Sequence, residues 1–302
     1  METLAEKAFL EAGPIYHLYT TPLESDIYFH SDDDRRIAQN YIAISIKESD
    51  CKLLAYSIMT NHFHFVIEGG KDRVYDFFEM FKGLLSNYFK HHGRSGLISG
   101  VTAGITGIGN LRQLRNTIAY VIRNAFVVRP EVNVFADPWS TGHLYFNPFL
   151  VKDGIPASQL KGRALRTFVQ SRTITRINPD IHVKDNLALA WSFVDYKHVE
   201  EFYDNAREFV YSVMKNTEAM IETALSCNED PALNDEDLLP RLFSMSREMF
   251  KEDKPFSLDE NQKKKLAVEI KNRYHSSNKQ IARLLRLPLS TVDALYPLLA
   301  KR

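Results

Sequence analysis

Two β-forming runs, Lys52 to Met59 and His62 to Ile67, are separated only by Thr60-Asn61, and Gly69-Gly70 ends the second. So short a link leaves room for a tight reversal and nothing else, which predicts an antiparallel hairpin. A lone hairpin is marginal in water and needs further strands or helices to cover it. Side chains alternate along a strand, so His62 and His64 share one face while Phe63, Phe65 and Ile67 share the other. The flanking sequence supplies the cover. Ile15 to Tyr19 reads as a first strand, and Ser31 before Asp32, Asp33 and Asp34 reads as a helix start, since anions favour that end of the helix dipole. Ile37, Tyr41 and Ile44 carry that helix to about Glu48. Val74 to Phe89 predicts a helix with an aromatic buried face. Leu97 to Ile108 is either a strand or a flexible ribbon, and Leu111 to Val127 is helical with Leu114, Ile118, Val121 and Ile122 on its apolar side.

This order predicts an α+β domain, an antiparallel sheet with helices packed on it, over residues 1–148. An all-helical region follows. His198 to Thr223 reads as one long amphipathic helix through Phe202, Ala206, Phe209, Val210 and Val213, and the acidic run Asn228 to Asp237 as a linker. These form an accessory region over 149–239. From Gln262 the chain is helical again, within a basic tail spanning 240–302.

Lys plus Arg and Asp plus Glu both number 38, so bulk charge gives no reason to expect a polyanion partner. The distribution does. No acid lies between Glu79 and Glu131, a stretch holding Lys82, Lys90, Arg94, Arg112, Arg115, Arg123 and Arg129. From Gln262 onward, ten Lys and Arg face only Glu269 and Asp293. These islands are either polyanion-contacting surfaces or solvated helix faces. The two cysteines, Cys51 and Cys227, form no CxxC pair, which fits a reducing compartment. The acidic start has no signal-peptide character, and no apolar run approaches the ~18–20 residues of a membrane span. The expectation is a soluble, cytoplasmic protein without a membrane partner.

Two pairs could carry chemistry. His62 and His64 are either a surface or partly buried pair, or a chelate for a divalent metal. Tyr120 and Asn124, four apart on a helix, share one face. A phenol can attack phosphorus and an amide oxygen can ligate a metal beside it; the other reading of the pair is core packing.

The run Ala55-Tyr56-Ser57-Ile58-Met59-Thr60-Asn61-His62-Phe63-His64-Phe65-Val66 resembles the signature of the REP-associated tyrosine transposases, members of the HUH (His–hydrophobic–His) single-tyrosine superfamily. Tyr16-His17-Leu18, Asn87-Tyr88-Phe89, His92-Gly93-Arg94-Ser95-Gly96, Tyr120-Val121-Ile122-Arg123-Asn124 and Asp137-Pro138-Trp139-Ser140 resemble further segments of that family, in its order, across about residues 13 to 146. The resemblance implies a ferredoxin-like HUH domain with the histidine pair on a central strand. It implies His62, His64 and Asn124 as ligands of Mg²⁺ or Mn²⁺, and Tyr120 as nucleophile. The implied reaction is cleavage and rejoining of single-stranded DNA beside hairpins through a 5′-phosphotyrosine. Lys82, Lys90, Arg94, Arg112, Arg115 and Arg123 would then line the DNA groove. Departures are Tyr19-Thr20-Thr21 where the family carries an arginine, Ala125 in place of a proline, and a Leu97 to Ile108 ribbon lacking aromatic and arginine residues. The alternative is a domesticated regulator that binds hairpin DNA without cutting it; on either reading the chain is expected as monomer or homodimer.

In the tail, Ser277 to Gln280 is a capping box opening Ile281 to Leu285, and Arg286-Leu287-Pro288 leads into Leu289 to Leu295. This resembles a helix-turn-helix contacting duplex DNA through Lys279, Arg283 and Arg286, or is a plain helical hairpin.

Overall fold

The computed structural model describes residues 3–20, 27–124, 133–171, 174, 176–215, 217–227, 233, 235–274, 276 and 278–295. The chain divides into two compact units, Met1–Asn216 and Thr217–Arg302.

The first unit is built on an antiparallel sheet in the order β2-β3-β1-β4, with β1 Ile15–Tyr19, β2 Lys52–Ile58, β3 Phe63–Glu68 and β4 Gly104–Ile108. The expected hairpin is β2-β3, and β3 is central, flanked by β2 and β1. Tyr19 stands opposite both His64 and Gly104, and His17 opposite Val66 and Thr106. Only the last part of Leu97 to Ile108 becomes strand. Gly104 has a steric reason to be there, because a Cβ at that position would lie 2.5 Å from the Tyr19 ring. The outer edge of β2 is closed by Trp139 to Thr141: Ile58 donates its amide to the Trp139 carbonyl and Thr141 donates to that of Tyr56.

Helix α1 (Leu4–Glu11) opens with a capping box between Thr3 and Glu6. In α2 (Asp32–Glu48), Ser31 accepts the Asp34 amide as N-cap, as the sequence suggests. α3 (Lys71–His91) covers the aromatic face of the sheet. Its Phe77 ring stands 5.2 Å from Phe65 and its Phe81 ring 5.0 Å from Phe63, both edge-on, an arrangement that the ring quadrupole favours. α4 (Leu111–Arg123), capped by Asn110, packs on the histidine face. The expected continuation of α4 through Ala125 to Val127 lies outside the described residues.

One buried ionic cluster ties α2 to α3. Arg94 reaches both Asp34 oxygens, at 2.6 and 3.0 Å, and donates to the Tyr28 carbonyl; the Tyr88 hydroxyl and the His30 amide also donate to Asp34. Burial alone would raise the Asp34 carboxyl, but Arg94, the His30 amide and Tyr88 outweigh it and hold it below its ordinary value. Its stabilisation is complete above the unfolded value near about 4 and is lost as the pH falls through the lower folded value. Asp34→Ala leaves the guanidinium half-buried without its carboxylate and should cost about 3 kcal/mol in urea unfolding at pH 7. The difference between variant and parent should shrink below about pH 4; a pH-independent difference would show that the charge pair is not its source.

The region after residue 148 is not all-helical as expected: β5 (Ile155–Pro156), β6 (His182–Lys184) and β7 (Leu187–Ala188) pair as a small antiparallel sheet, with α5 (Gly162–Val169) beside it. Short strands of a few residues carry no readable alternation. Asn40 of α2 fastens the segment, donating to the Phe168 and Asn186 carbonyls and accepting the Ala188 amide. The single helix expected over His198 to Thr223 is interrupted between α6 (Tyr196–Glu201) and α7 (Ala206–Lys215); residue 216 lies outside the described residues, and α8 (Thr217–Ser226) belongs to the second unit. The apolar period runs through the break, but local capping overrides it: Asn205 accepts the Glu208 amide, and the Glu208 carboxylate accepts the Asp204 amide.

The second unit contains α8, α9 (Asp235–Phe250), α10 (Glu260–Tyr274), α11 (Asn278–Leu285) and α12 (Leu289–Leu295) around Leu238, Leu242, Met245, Leu266, Ile270, Ile281, Leu285 and Val292. Of the expected acidic linker, 228–232 and 234 lie outside the described residues, Leu233 is part of this core and Asp235 begins α9. Among the described residues no helix is long and apolar enough to cross a membrane.

Candidate active site

The sheet's second face gathers the chemistry. His64 points from β3 and is completely buried, with Tyr120 of α4 edge-on to it at a ring separation of 5.4 Å and an interplanar angle of 86°. His62, just before β3, lies 5.1 Å from His64 by ring centroids. Its Nδ1 is 2.9 Å from the Asn61 carboxamide oxygen. Burial pushes the His64 imidazole down to about 3, so it is neutral near pH 7 and keeps a lone pair. A third histidine, His17, stands across from β3 with its Nε2 3.2 Å from His64 Nδ1, and its ring is 6.2 Å from Tyr120.

Asn124 caps α4, still in helical conformation, and its amide donates to the Tyr120 carbonyl. It is therefore one turn beyond Tyr120 on the same face. Its side-chain Nδ2 is buried and has no hydrogen-bond partner among the described residues. A half-turn of the amide places the carbonyl oxygen there instead. Among the described residues no group of three or more His, Cys, Asp and Glu is placed to hold a metal ion.

The basic residues divide. Lys90, Arg112 and Lys279 are exposed. Lys82 pairs with Glu79 and reaches the Val101 carbonyl, and Arg94 is the clamp on Asp34. Arg115 donates to the Phe202 carbonyl and to Glu208. Arg123, expected at a DNA groove, is fully buried and donates to the Val213 and Met214 carbonyls. Its charge terminates α7, whose last carbonyls are the negative end of the helix dipole. Arg115 and Arg123 thus hold α4 along α7. In the second unit Arg283 grips Asp235 through two N–H groups, and Arg286 lies 4.6 Å over the Phe256 ring.

Comparison with known proteins adds one likeness. No family model matches the chain, and neither does any curated protein. Among solved structures, a REP-associated tyrosine transposase bound to a REP hairpin aligns with 44% of this chain and 78% of its own, at 13% identity and a TM-score of 0.34.

The sequence singled out His62, His64, Tyr120 and Asn124, and the fold brings the rings of the first three together. It gave His17 no role. Alternation places His17 and Tyr19 on one face of β1, but only the β1–β3 pairing, long-range in sequence, puts that face beside His64.

Proposed function

We propose that the chain cleaves and rejoins single-stranded DNA next to hairpins, using Tyr120 as nucleophile and His62, His64 and Asn124 as ligands of Mg²⁺ or Mn²⁺. The observation that supports it most is the contact of the Tyr120 ring with His64, 56 residues away in sequence, with a second imidazole, His62, 5.1 Å from His64 by ring centroids. Bound there, the cation would polarise the scissile phosphate and lower the barrier to attack. Tyr120 Oη forms a bond to phosphorus while the bond from phosphorus to the 3′ oxygen breaks. The phenolic proton is lost, one proton returns to the departing 3′-hydroxyl, and the 5′ phosphate stays on Tyr120. Reversal with a new 3′-hydroxyl reseals the strand. α4 holds Tyr120 in place, and Arg115 and Arg123 hold α4. On this reading residues 1–148 supply catalysis, 149–239 support it and 240–302 contact DNA.

Tyr120 is 0% exposed, so DNA must open the α4 face before attack. That burial favours a second reading, a regulator that binds hairpin DNA without cutting it. The deciding experiment incubates the full chain with hairpin-bearing single-stranded DNA and Mn²⁺. A covalent adduct through a 5′ phosphate supports the strand transferase; binding without any adduct supports the regulator.

The duplex partner is assigned to α11 and α12. Left-handed Arg286 (φ 53°) turns the chain, the Leu287 amide closes on the Ala282 carbonyl, and the Pro288 carbonyl starts α12. Lys279 and the lysines of α10 supply positive charge, so contact is mainly with phosphates. A fragment should begin near residue 217 rather than 240, because Leu233 and Leu238 lie in this core and Asp235 holds Arg283. Its affinity for duplex DNA should fall steeply with salt, by about 0.9 in the log–log slope per phosphate neutralised. Salt-insensitive or absent binding would leave a plain helical hairpin.

A further inference from the structure

A further acid-free run lies in the first unit. No Asp or Glu occurs between Asp153 and Asp180, a stretch that holds Lys161, Arg163, Arg166, Arg172 and Arg176. Arg172 lies outside the described residues. The other four are exposed, and none of them has an ion pair, a side-chain hydrogen bond or a ring contact among the described residues. Other helices of the unit set their cations one turn from acids: Arg35 pairs with Asp32, Arg36 with Asp33, Arg73 with Asp76 and Lys82 with Glu79. α5 departs from this. Its Phe168 and Val169 are buried, and the Phe168 carbonyl accepts from the Asn40 side chain of α2, so the helix is fixed on the body of the unit. Arg163 and Arg166, three residues apart, project from the opposite face. Lys161, the N-cap, and Arg163 stand at the positive end of the helix dipole, and like charges one turn apart repel. Both placements work against the helix, and no acid within it offsets them. A polyanion would neutralise such a cluster.

We propose that α5 is a contact for duplex DNA, in which Lys161, Arg163 and Arg166 pair with phosphates without reading sequence. The chemistry selects a duplex. Lysine and arginine neutralise phosphates, whereas single-strand binding adds aromatic rings on which bases stack. The one aromatic residue of α5, Phe168, is buried. An anionic membrane fits less well, because the apolar face that would enter it is already packed inside the protein. The contact lies apart from His64 and Tyr120: α5 is held by α2, and α2 packs on α3, the helix over the aromatic face of the sheet. It is distinct from the duplex contact assigned to α11 and α12, which belong to the second unit, and it depends on neither reading.

The test uses the full chain and a blunt DNA duplex of arbitrary sequence, with binding read by fluorescence anisotropy across a fourfold range of salt. Lys161→Gln, Arg163→Gln and Arg166→Gln combined should lower the log–log salt slope by about 2.7, at about 0.9 for each of three phosphates. Across that range the wild type should therefore lose about 40-fold more affinity than the variant. The three side chains are exposed, so the fold should persist by circular dichroism. Arg163→Lys with Arg166→Lys keeps the charge and should keep the slope. An unchanged slope in the folded triple variant, or a wild type that binds no duplex, overturns the proposal. So does a larger effect of the triple variant on unpaired oligothymidine than on the duplex, or capture by phosphatidylserine vesicles through these residues in place of the duplex. Failure of the contact at α11 and α12 is distinct: it lowers binding of wild type and variant alike and leaves the difference between them.

Discussion

Tyr120→Phe should form no covalent adduct with hairpin-bearing single-stranded DNA in the presence of Mn²⁺, while it still folds and still binds that DNA. The substitution removes one oxygen and keeps the ring that packs edge-on to His64. Volume is conserved, so the packing of α4 on the sheet should persist. What disappears is the only atom of that side chain able to bond to phosphorus. Two tyrosines serve as decoys. Tyr88→Phe loses the hydroxyl that donates to Asp34 and should be less stable by about 1 kcal/mol, yet it should keep the adduct. Tyr16 lies on β1 next to His17 in sequence but on the opposite face of the sheet, so Tyr16→Phe should keep the adduct too. An adduct that survives in Tyr120→Phe, read by denaturing gel and located by peptide mass, would remove Tyr120 from the reaction. The effect is all-or-none, which separates it from the partial losses that poorer packing of α4 would give.

Local pattern explains why the hairpin and α2 to α4 were legible. The Thr60-Asn61 link leaves one geometry for its strands, Ser31 followed by three aspartates can do little but start a helix, and the Phe63-Phe65 alternation demanded the aromatic cover that α3 provides. Legibility ended where a competing interaction was distant or unperiodic. The break at Phe202 to Asn205 comes from Asn205 and Glu208, whose capping works against an apolar period that continues straight through. Positive charge was visible in sequence, but its partners were not. Arg94, Arg115 and Arg123 carry the same charge as Lys90 and Arg112, yet the first three close carboxylate or carbonyl contacts inside the unit. An acid-free stretch therefore does not mean unpaired arginines, because acids such as Asp34 and Glu208 arrive from elsewhere in the chain.

Replacing both His62 and His64 by Ala should abolish Mn²⁺ binding by the full chain in calorimetric titration. The expectation follows from the proposed donor set. On that proposal, removing the imidazoles leaves Asn124, a single neutral amide, too little to compete with hydration of a hard divalent ion. His64 is wholly buried between His17 and Tyr120, so truncation there also opens a cavity, and circular dichroism must show that the double variant is folded. His62→Gln provides the cleaner single change, since His62 lies ahead of β3 with a neighbouring side chain as its hydrogen-bond partner. It should weaken binding without loss of fold. The ion itself supplies a further check. Imidazole sites bind the later divalent metals more tightly, so Zn²⁺ should displace Mn²⁺ from the wild type, whereas a site made of carboxylates and backbone carbonyls would discriminate far less. Undiminished Mn²⁺ binding in a folded double variant would move the metal off this face of the sheet, and with it the reason for Tyr120 to stand beside His64.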